Sequence, residues 1–188
     1  MSGVAHTAAR MPALRLAAMP IPIPVPHINT PEQAAEVVRS ARYYPEGRRG
    51  HDAGASRSSA YNLLEPSGDY FIRSNQEIIV AVWVEEVEGM RNLDAILQVP
   101  GVDAVHFGPG DLAFSMGHPG RADHPDVQAA LAEGKRKVRA ANKLLIAEPA
   151  NAAAARQAIA DGALLISTQV TAMLANTARD YLKDIGRT

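Results

Sequence analysis

The chain has 188 residues, 47% of them hydrophobic, and its 19 Lys and Arg nearly balance 20 Asp and Glu for a formal net charge of −1. This composition is typical of one globular domain, and without a basic run it argues against electrostatic capture of nucleic acid. The absence of cysteine excludes disulfides, thiolate metal sites and a cysteine nucleophile, and it fits a cytoplasmic protein. No apolar stretch approaches the roughly 20 residues of a membrane span, and the N-terminus lacks the order of a secretory signal.

The N-terminal part of the chain divides at about residue 25. Residues 1–24 are rich in Ala and carry prolines at alternate positions, which remove ladder donors, so we interpret them as an irregular leader. We expect the folded domain to cover residues 25–188. It opens with a helix that Thr30 caps, with Gln33 completing a capping box. A polar loop of small residues follows at 51–60, and loops of this kind are often mobile covers of sites.

The remaining elements alternate between strands and helices. Residues 61–76 are weakly helical with a break at 66–68, and Thr171 is the expected cap of the last helix. Five strands are predicted, each followed by a helix; the first lies at about Val25, before His27, and the others are 78–84, 102–107, 144–147 and 163–168. Such alternation indicates a parallel sheet with helical crossovers. Because a closed (β/α)8 barrel takes about 250 residues, this chain is about three βα units short and forms an open sheet or part of a barrel.

Two carboxylates stand where neighbouring strands end. Glu85 follows the strand 78–84, and Asp111 follows the strand 102–107 within Gly108-Pro109-Gly110-Asp111, 26 residues further along the chain. Parallel α/β folds bind ligands at that end of the sheet, so the pair could hold one hard divalent cation. The simpler alternatives are that Glu85 is a first-turn helix acid and Asp111 an N-cap. The loop opens a helix whose N–H groups could bind a carboxylate, with Gly110 allowing close approach.

Three segments of the chain resemble the HpcH/HpaI aldolase family, the class II pyruvate aldolases. They are VPHINTPEQAAEVVRSARYYPEGRRG (25–50), VEEVEGMRNLDAIL (84–97) and PGVDAVHFGPGDLAFSMGHPG (100–120), and a weaker similarity continues through HPDVQAAL (124–131) and DGALLISTQV (161–170). The resemblance implies a (β/α)8 barrel and reversible cleavage of 4-hydroxy-2-oxo acids to pyruvate and an aldehyde. It also implies a divalent metal (Mg²⁺, Mn²⁺ or Co²⁺) that stabilises the enolate.

The resemblance also assigns site residues. It implies that Glu85 and Asp111 bind the metal and that the backbone of Gly110 contacts the substrate carboxylate. Trp83 stands where the family has a substrate-binding Gln. The family assembles as hexamers, trimers of dimers in which the last helix packs on a neighbour, so we expect a homo-oligomer.

The chain departs from this pattern at its N-terminus. Family members begin with three further βα units that carry a His base and an Arg for the pyruvate oxygen, and residues 1–24 offer no counterpart of either. We therefore expect weak or no turnover from this chain, with His27 and His106 as candidate catalytic replacements. One alternative is a shortened, catalytically impaired relative that acts as a scaffold or requires a partner chain. Another is a lyase of acyl-CoA esters, which the absence of basic phosphate-binding features disfavours.

The other polar side chains are expected to have structural roles. His118 and His124 are interpreted as turn and helix-start residues, His51 as solvent-exposed, and Arg48 and Arg49 as a solvated or intersubunit face.

Overall fold

The structure is a computed structural model that describes residues 25–51 and 59–187. The leader 1–24 and most of the loop 51–60 lie outside the described residues. The chain divides into two compact units, Met1–Lys143 and Leu144–Thr188.

The first unit contains the predicted helices, with changed boundaries. The capping box is present: Thr30 Oγ1 accepts from the Gln33 N–H at 3.3 Å, and Gln33 Oε1 accepts from the Thr30 N–H at 3.1 Å. The predicted helix over 61–76 instead begins where the break was expected, at Ser67, after a short 3₁₀ turn Ala60–Asn62. The helices and strands of the first unit, in chain order, are α1 (Pro31–Ala41), α2 (Ser67–Glu77), β1 (Ala81–Val84), α3 (Val87–Arg91), α4 (Leu93–Gln98), β2 (Ala104–Phe107), α5 (Pro109–Ser115) and α6 (Pro125–Ala140).

The strands β1 and β2 pair in parallel, with Trp83 opposite His106. β1 begins three residues later than predicted because the Asp103 carboxylate accepts the Val80 N–H at 2.9 Å in place of a ladder carbonyl. From residue 25 onward, the first predicted strand is represented by one bridge between Val25 and Val82. Pro26 has no N–H to extend this ladder, and His27, at φ +57°, turns the chain away.

The two faces of the β1–β2 pair differ in chemistry, because successive side chains of a strand point to opposite faces. Val82, Val84, Val105 and Phe107 form the face that packs against helices, and each is at least 95% buried. The ring of Phe107 approaches α6 closely enough that only the glycine at Gly134 fits there. The opposite face carries Trp83 and His106 and continues past the strand ends with polar residues.

The second unit contains β3 (Leu144–Ala147), α7 (Ala152–Ala160), β4 (Leu165–Ile166) and α8 (Val170–Asp184), and β3 and β4 pair in parallel. Asn151 caps α7 by accepting from the Ala154 N–H at 2.9 Å. The prediction that Thr171 caps the last helix is wrong, because α8 begins at Val170 after Gln169.

The predicted fold class, α/β with parallel strands of the (β/α)-barrel type but incomplete, is confirmed. Within residues 25–51 and 59–187 there are four strands and the Val25 bridge, fewer than the eight of a closed barrel. None of the helices that the structure describes is both long enough and apolar enough to cross a membrane.

Candidate metal and substrate site

Glu85 is the most buried acidic group of the candidate site. It follows β1 directly, and only 2% of the residue is exposed. Its Oε1 accepts a hydrogen bond from the backbone N–H of His27 at 3.1 Å. Gly108 lies against it: a Cβ atom there would come within 2.9 Å of the Glu85 Cβ and still closer to its carboxylate. A glycine at this position therefore makes room for the buried carboxylate.

Asp111 is brought next to Glu85 by the short helix α5. It is the third residue of that helix, and its carboxyl group lies close enough to the Glu85 carboxyl to raise the pKa of that group. Burial raises the pKa of Glu85, the His27 N–H opposes this rise, and the Asp111 charge adds to it. The N-cap residues are Glu86 for α3 and Gly108 for α5, so neither carboxylate caps a helix.

His27 joins this acidic pair from a distant part of the chain. The backbone of Val25 and Ile28 bonds to Ala81 and Trp83, which carries His27 to the end of β1. Its Nδ1 lies 2.8 Å from Glu86 Oε1 and 3.4 Å from Glu85 Oε1. The hydrogen bond to Glu86, followed by the Glu85 charge, raises the pKa of His27. His27 and Glu85 are 58 positions apart, so local patterns could not have shown the contact.

Trp83 and His106 form the floor beside the carboxylates. The two rings lie 4.6 Å apart at an interplanar angle of 30°, and His106 is only 5% exposed. The Trp83 Nε1–H is buried and has no hydrogen-bond partner among the described residues. A Cβ at Gly108 would lie 3.0 Å from that nitrogen, so the indole N–H and the Glu85 carboxylate border the same small space.

Two further features set the shape of the site. The space beside Gly110 is open, because a Cβ atom there would meet nothing within 4 Å. Ser115, at the end of α5, accepts a hydrogen bond from the Val87 N–H at 3.0 Å. This bond ties the helix that carries Asp111 to the segment that follows Glu85. Ser115 was not predicted as part of the site, because no local signal in the sequence distinguishes it from other exposed serines.

A parallel β/α fold with paired carboxylates just past two adjacent strands is the arrangement in which this class of fold typically binds ligands. The profile of the HpcH/HpaI aldolase/citrate lyase family matches residues 10–178. The chain belongs to this family. The match begins upstream of residue 25, where the sequence analysis placed the start of the similarity, and so includes part of the leader.

Curated relatives agree with this membership. The chain is 40% identical over 156 residues to a 2-keto-3-deoxy-L-rhamnonate aldolase of Klebsiella pneumoniae, covering 83% of this chain and 57% of the relative. It is also 40% identical over 156 residues to a hydroxypyruvate/pyruvate aldolase of Cupriavidus necator, covering 82% of this chain and 57% of the relative. The chain therefore spans somewhat more than half the length of these relatives.

Solved structures show the same fold. An HpcH/HpaI aldolase/citrate lyase family protein from Burkholderia cenocepacia superposes with a TM-score of 0.75 at 34% identity, covering 85% of this chain and 63% of that one. An HpcH/HpaI aldolase from Desulfitobacterium hafniense superposes with a TM-score of 0.72 at 29% identity, covering 87% and 63%.

Proposed function

We propose that the protein is a metal-dependent carbon–carbon lyase that cleaves 4-hydroxy-2-oxo acids to pyruvate and an aldehyde. The observation that carries this proposal is the pairing of the buried Glu85 carboxylate with Asp111 at the ends of adjacent parallel strands. Family membership and the aldolase names of the relatives support the same reaction class.

The residues present fit a hard divalent ion such as Mg²⁺, Mn²⁺ or Co²⁺. Glu85 and Asp111 are two oxygen donors, the type that such ions prefer, and burial beside a second carboxylate disfavours the ionised form of Glu85 without a cation. When bound, the ion would supply Lewis-acid stabilisation of the negative charge that bond cleavage leaves on pyruvate.

Gly110 and Trp83 are the proposed substrate contacts. The open space beside Gly110 lets a substrate carboxylate approach the first-turn N–H groups of α5, which lack partners within the helix. The indole N–H of Trp83 has no partner in the described structure and borders the carboxylates, so it can donate to a substrate oxygen. A substrate oxygen at this position would accept a hydrogen bond from the buried indole N–H, whose burial without a partner costs free energy of folding.

His27 is the proposed proton-transfer group, in preference to His106. The side chain of His27 is 64% exposed and lies beside Glu85, so an incoming substrate can reach it. His106 is nearly fully buried against Trp83, where its ring supports the indole. A proton moved at the His27 imidazole would provide the acid–base step of aldol cleavage.

The test is calorimetric titration of Mn²⁺ combined with a coupled assay of pyruvate release from a 4-hydroxy-2-oxo acid. We expect Mn²⁺ binding that Glu85→Ala and Asp111→Ala both abolish, and slow pyruvate release that chelation abolishes. Unchanged Mn²⁺ affinity in both variants would overturn the metal assignment. Pyruvate release that proceeds without metal would overturn the reaction mechanism.

A second candidate is an impaired relative that keeps the metal site but acts as a scaffold or with a partner chain. The apolar Trp83, at a position where the resemblance implies Gln, favours it. Mn²⁺ binding without any metal-dependent pyruvate release, even at high protein concentration, is the outcome that this candidate predicts.

A further inference from the structure

A second group of potential metal ligands lies in the turn between α5 and α6, separate from the carboxylate pair. It consists of His118, His124 and Asp126. Their ligand atoms all lie within 4.8 Å of one another, and no other trio of His, Asp or Glu in the part of the chain that the structure describes meets this condition. His118 Nε2 and His124 Nδ1 each lie 3.8 Å from Asp126 Oδ2. The proposed function uses none of the three.

The backbone of this turn is held by its own hydrogen bonds. The His118 N–H donates to the Ala113 carbonyl at 2.8 Å, the Arg121 N–H to His118 at 3.0 Å and the His124 N–H to Arg121 at 2.9 Å. Gly120 adopts the positive φ of +72° that lets the chain return. The side chains are thus presented from a defined backbone, which lowers the entropy that binding an ion would cost.

The imidazole rings of His118 and His124 are in direct contact. Their rings stack with centroids 3.6 Å apart and an interplanar angle of 12°. Zn²⁺ binds nitrogen and carboxylate ligands at about 2.0–2.2 Å, which puts neighbouring ligand atoms about 3.4 Å apart. The two 3.8 Å separations from Asp126 need to close by a few tenths of an ångström, and the separation of the two imidazole nitrogens, which is within 4.8 Å, by at most about 1.4 Å. Because a nitrogen binds an ion in the plane of its ring, one imidazole must also rotate about its χ angles out of the parallel stack, and the 27% and 21% exposure of the His118 and His124 side chains leaves room for this.

The competing interaction at His124 is weak. As the N-cap of α6, its Nδ1 accepts from the Asp126 N–H at 3.3 Å, which is longer than a typical N–H hydrogen bond. A metal ion that binds His124 Nδ1 therefore breaks only a weak hydrogen bond. The Asp126 carboxylate supplies the negative charge that partly neutralises a divalent ion.

We propose that His118, His124 and Asp126 bind a divalent transition-metal ion of the Zn²⁺ class. Two imidazoles with one carboxylate favour Zn²⁺, Ni²⁺ or Cu²⁺, whereas Mg²⁺ and Mn²⁺ prefer the all-oxygen pair Glu85 and Asp111. The ion crosslinks the turn that follows α5 to the first turn of α6, and its fourth position is open to water. The site does not depend on the proposed aldolase activity.

The experiment measures Zn²⁺ binding to the full chain by competition with a chromophoric chelator, in saturating Mg²⁺. We expect one Zn²⁺ per chain, with the same affinity in Glu85→Gln. His118→Phe keeps an aromatic ring in the stack, and His124→Asn keeps a good helix cap. Each should weaken Zn²⁺ binding by about tenfold or more, since each removes a direct ligand. The matched controls, Asp123→Asn and His51→Gln, should leave the affinity unchanged.

A second measurement identifies the ligands in the wild-type protein and uses the variants only to assign signals. Among the six histidines of the chain, Zn²⁺ should shift the Cε1–H signals of two in the proton spectrum of the wild-type protein, and these should be the signals that His118→Phe and His124→Asn remove. Zn²⁺ binding lost in Glu85→Gln but kept in both histidine variants would overturn the proposal. So would an equal loss in the Asp123→Asn control, a shift of the His27 signal alone, or no stoichiometric binding.

Discussion

At the residue scale, the position of Glu85 is one where its negative charge does not stabilise the metal-free protein. The carboxylate is almost fully buried, a second carboxylate lies beside it, and burial raises its pKa. Only the His27 N–H and the partly exposed imidazole offset these effects. An arrangement that is unfavourable for folding but suited to a cation is characteristic of functional sites.

Glu85→Gln should therefore stabilise the metal-free protein. Because the pKa of Glu85 is raised in the folded state, wild-type stability falls relative to the variant as pH rises from the ordinary carboxyl pKa through the raised one. In chelator at pH 7 we expect the variant to melt about 2–4 °C higher. The difference should vanish below about pH 4, where both side chains are neutral.

Thermal melts with and without Mn²⁺ check this prediction. Mn²⁺ should raise the melting temperature of the wild type and not of Glu85→Gln, because only the wild type binds it. Glu88→Gln, which neutralises an exposed acid in α3, serves as the control. It should change neither the melting temperature in chelator nor the increase that Mn²⁺ causes. A variant that melts at or below the wild type throughout would contradict the prediction.

The imidazole of His27 can be removed without disturbing its backbone contact. His27 has φ +57°, a conformation that Asn tolerates well, and it is the backbone N–H that donates to Glu85. His27→Asn should keep Mn²⁺ affinity within about threefold while lowering pyruvate release by about 100-fold or more, the usual contribution of an acid–base group. Parallel losses of affinity and turnover would instead assign His27 a structural role.

At the element scale, α5 determines where Asp111 lies relative to Glu85. The helix is only seven residues long, and the bond from the Val87 N–H to Ser115 Oγ ties its end to the start of α3. Leu112, which is fully buried, anchors its other face in the core. The relative position of the two carboxylates therefore depends on a side chain that touches neither of them.

Ser115→Ala should weaken Mn²⁺ binding by about tenfold, since partners that orient metal ligands typically contribute that much. Titration calorimetry of the variant measures this effect. Ser40→Ala is a matched control, because it removes a hydroxyl that bonds only to the exposed Glu36 at 3.1 Å. Equal affinities for the wild type and Ser115→Ala would show that core packing alone positions α5.

Local sequence patterns predicted most helices and strands. They failed where contacts between distant residues determine a strand boundary or the position of a side chain. Thr30 and Gln33 form the expected capping box because all of its atoms lie within one turn. Residues 78–80 do not join β1, because a side chain 23 positions away takes the Val80 N–H. Alternation along β1 places Trp83 and Glu85 on one face, so part of the site follows from the sequence. The contact of His27 with that face does not, since it depends on the Val25 bridge.

At the scale of the whole molecule, α8 has an apolar face that none of the described residues buries. No residue of this 15-residue helix is buried, yet its apolar side chains, with Ala178 between Leu174 and Tyr181, recur every three or four residues along one side. The most exposed of them are Val170, Leu174 and Tyr181, each more than 60% accessible, and Met173 and the C-cap residue Ile185 exceed 50%. A continuous stripe of this kind is typical of an interaction surface.

We expect this stripe to mediate self-association, in line with the homo-oligomer predicted from the sequence. Light scattering coupled to size exclusion should give a mass above one chain that increases with protein concentration. Leu174→Lys should shift the population towards the monomer, because a charge at the centre of an apolar interface is poorly solvated. Asn176→Lys adds the same charge to the opposite side of α8 and should leave the mass unchanged. A wild-type protein that remains monomeric at every concentration, or equal behaviour of the two variants, would show that α8 is not the contact.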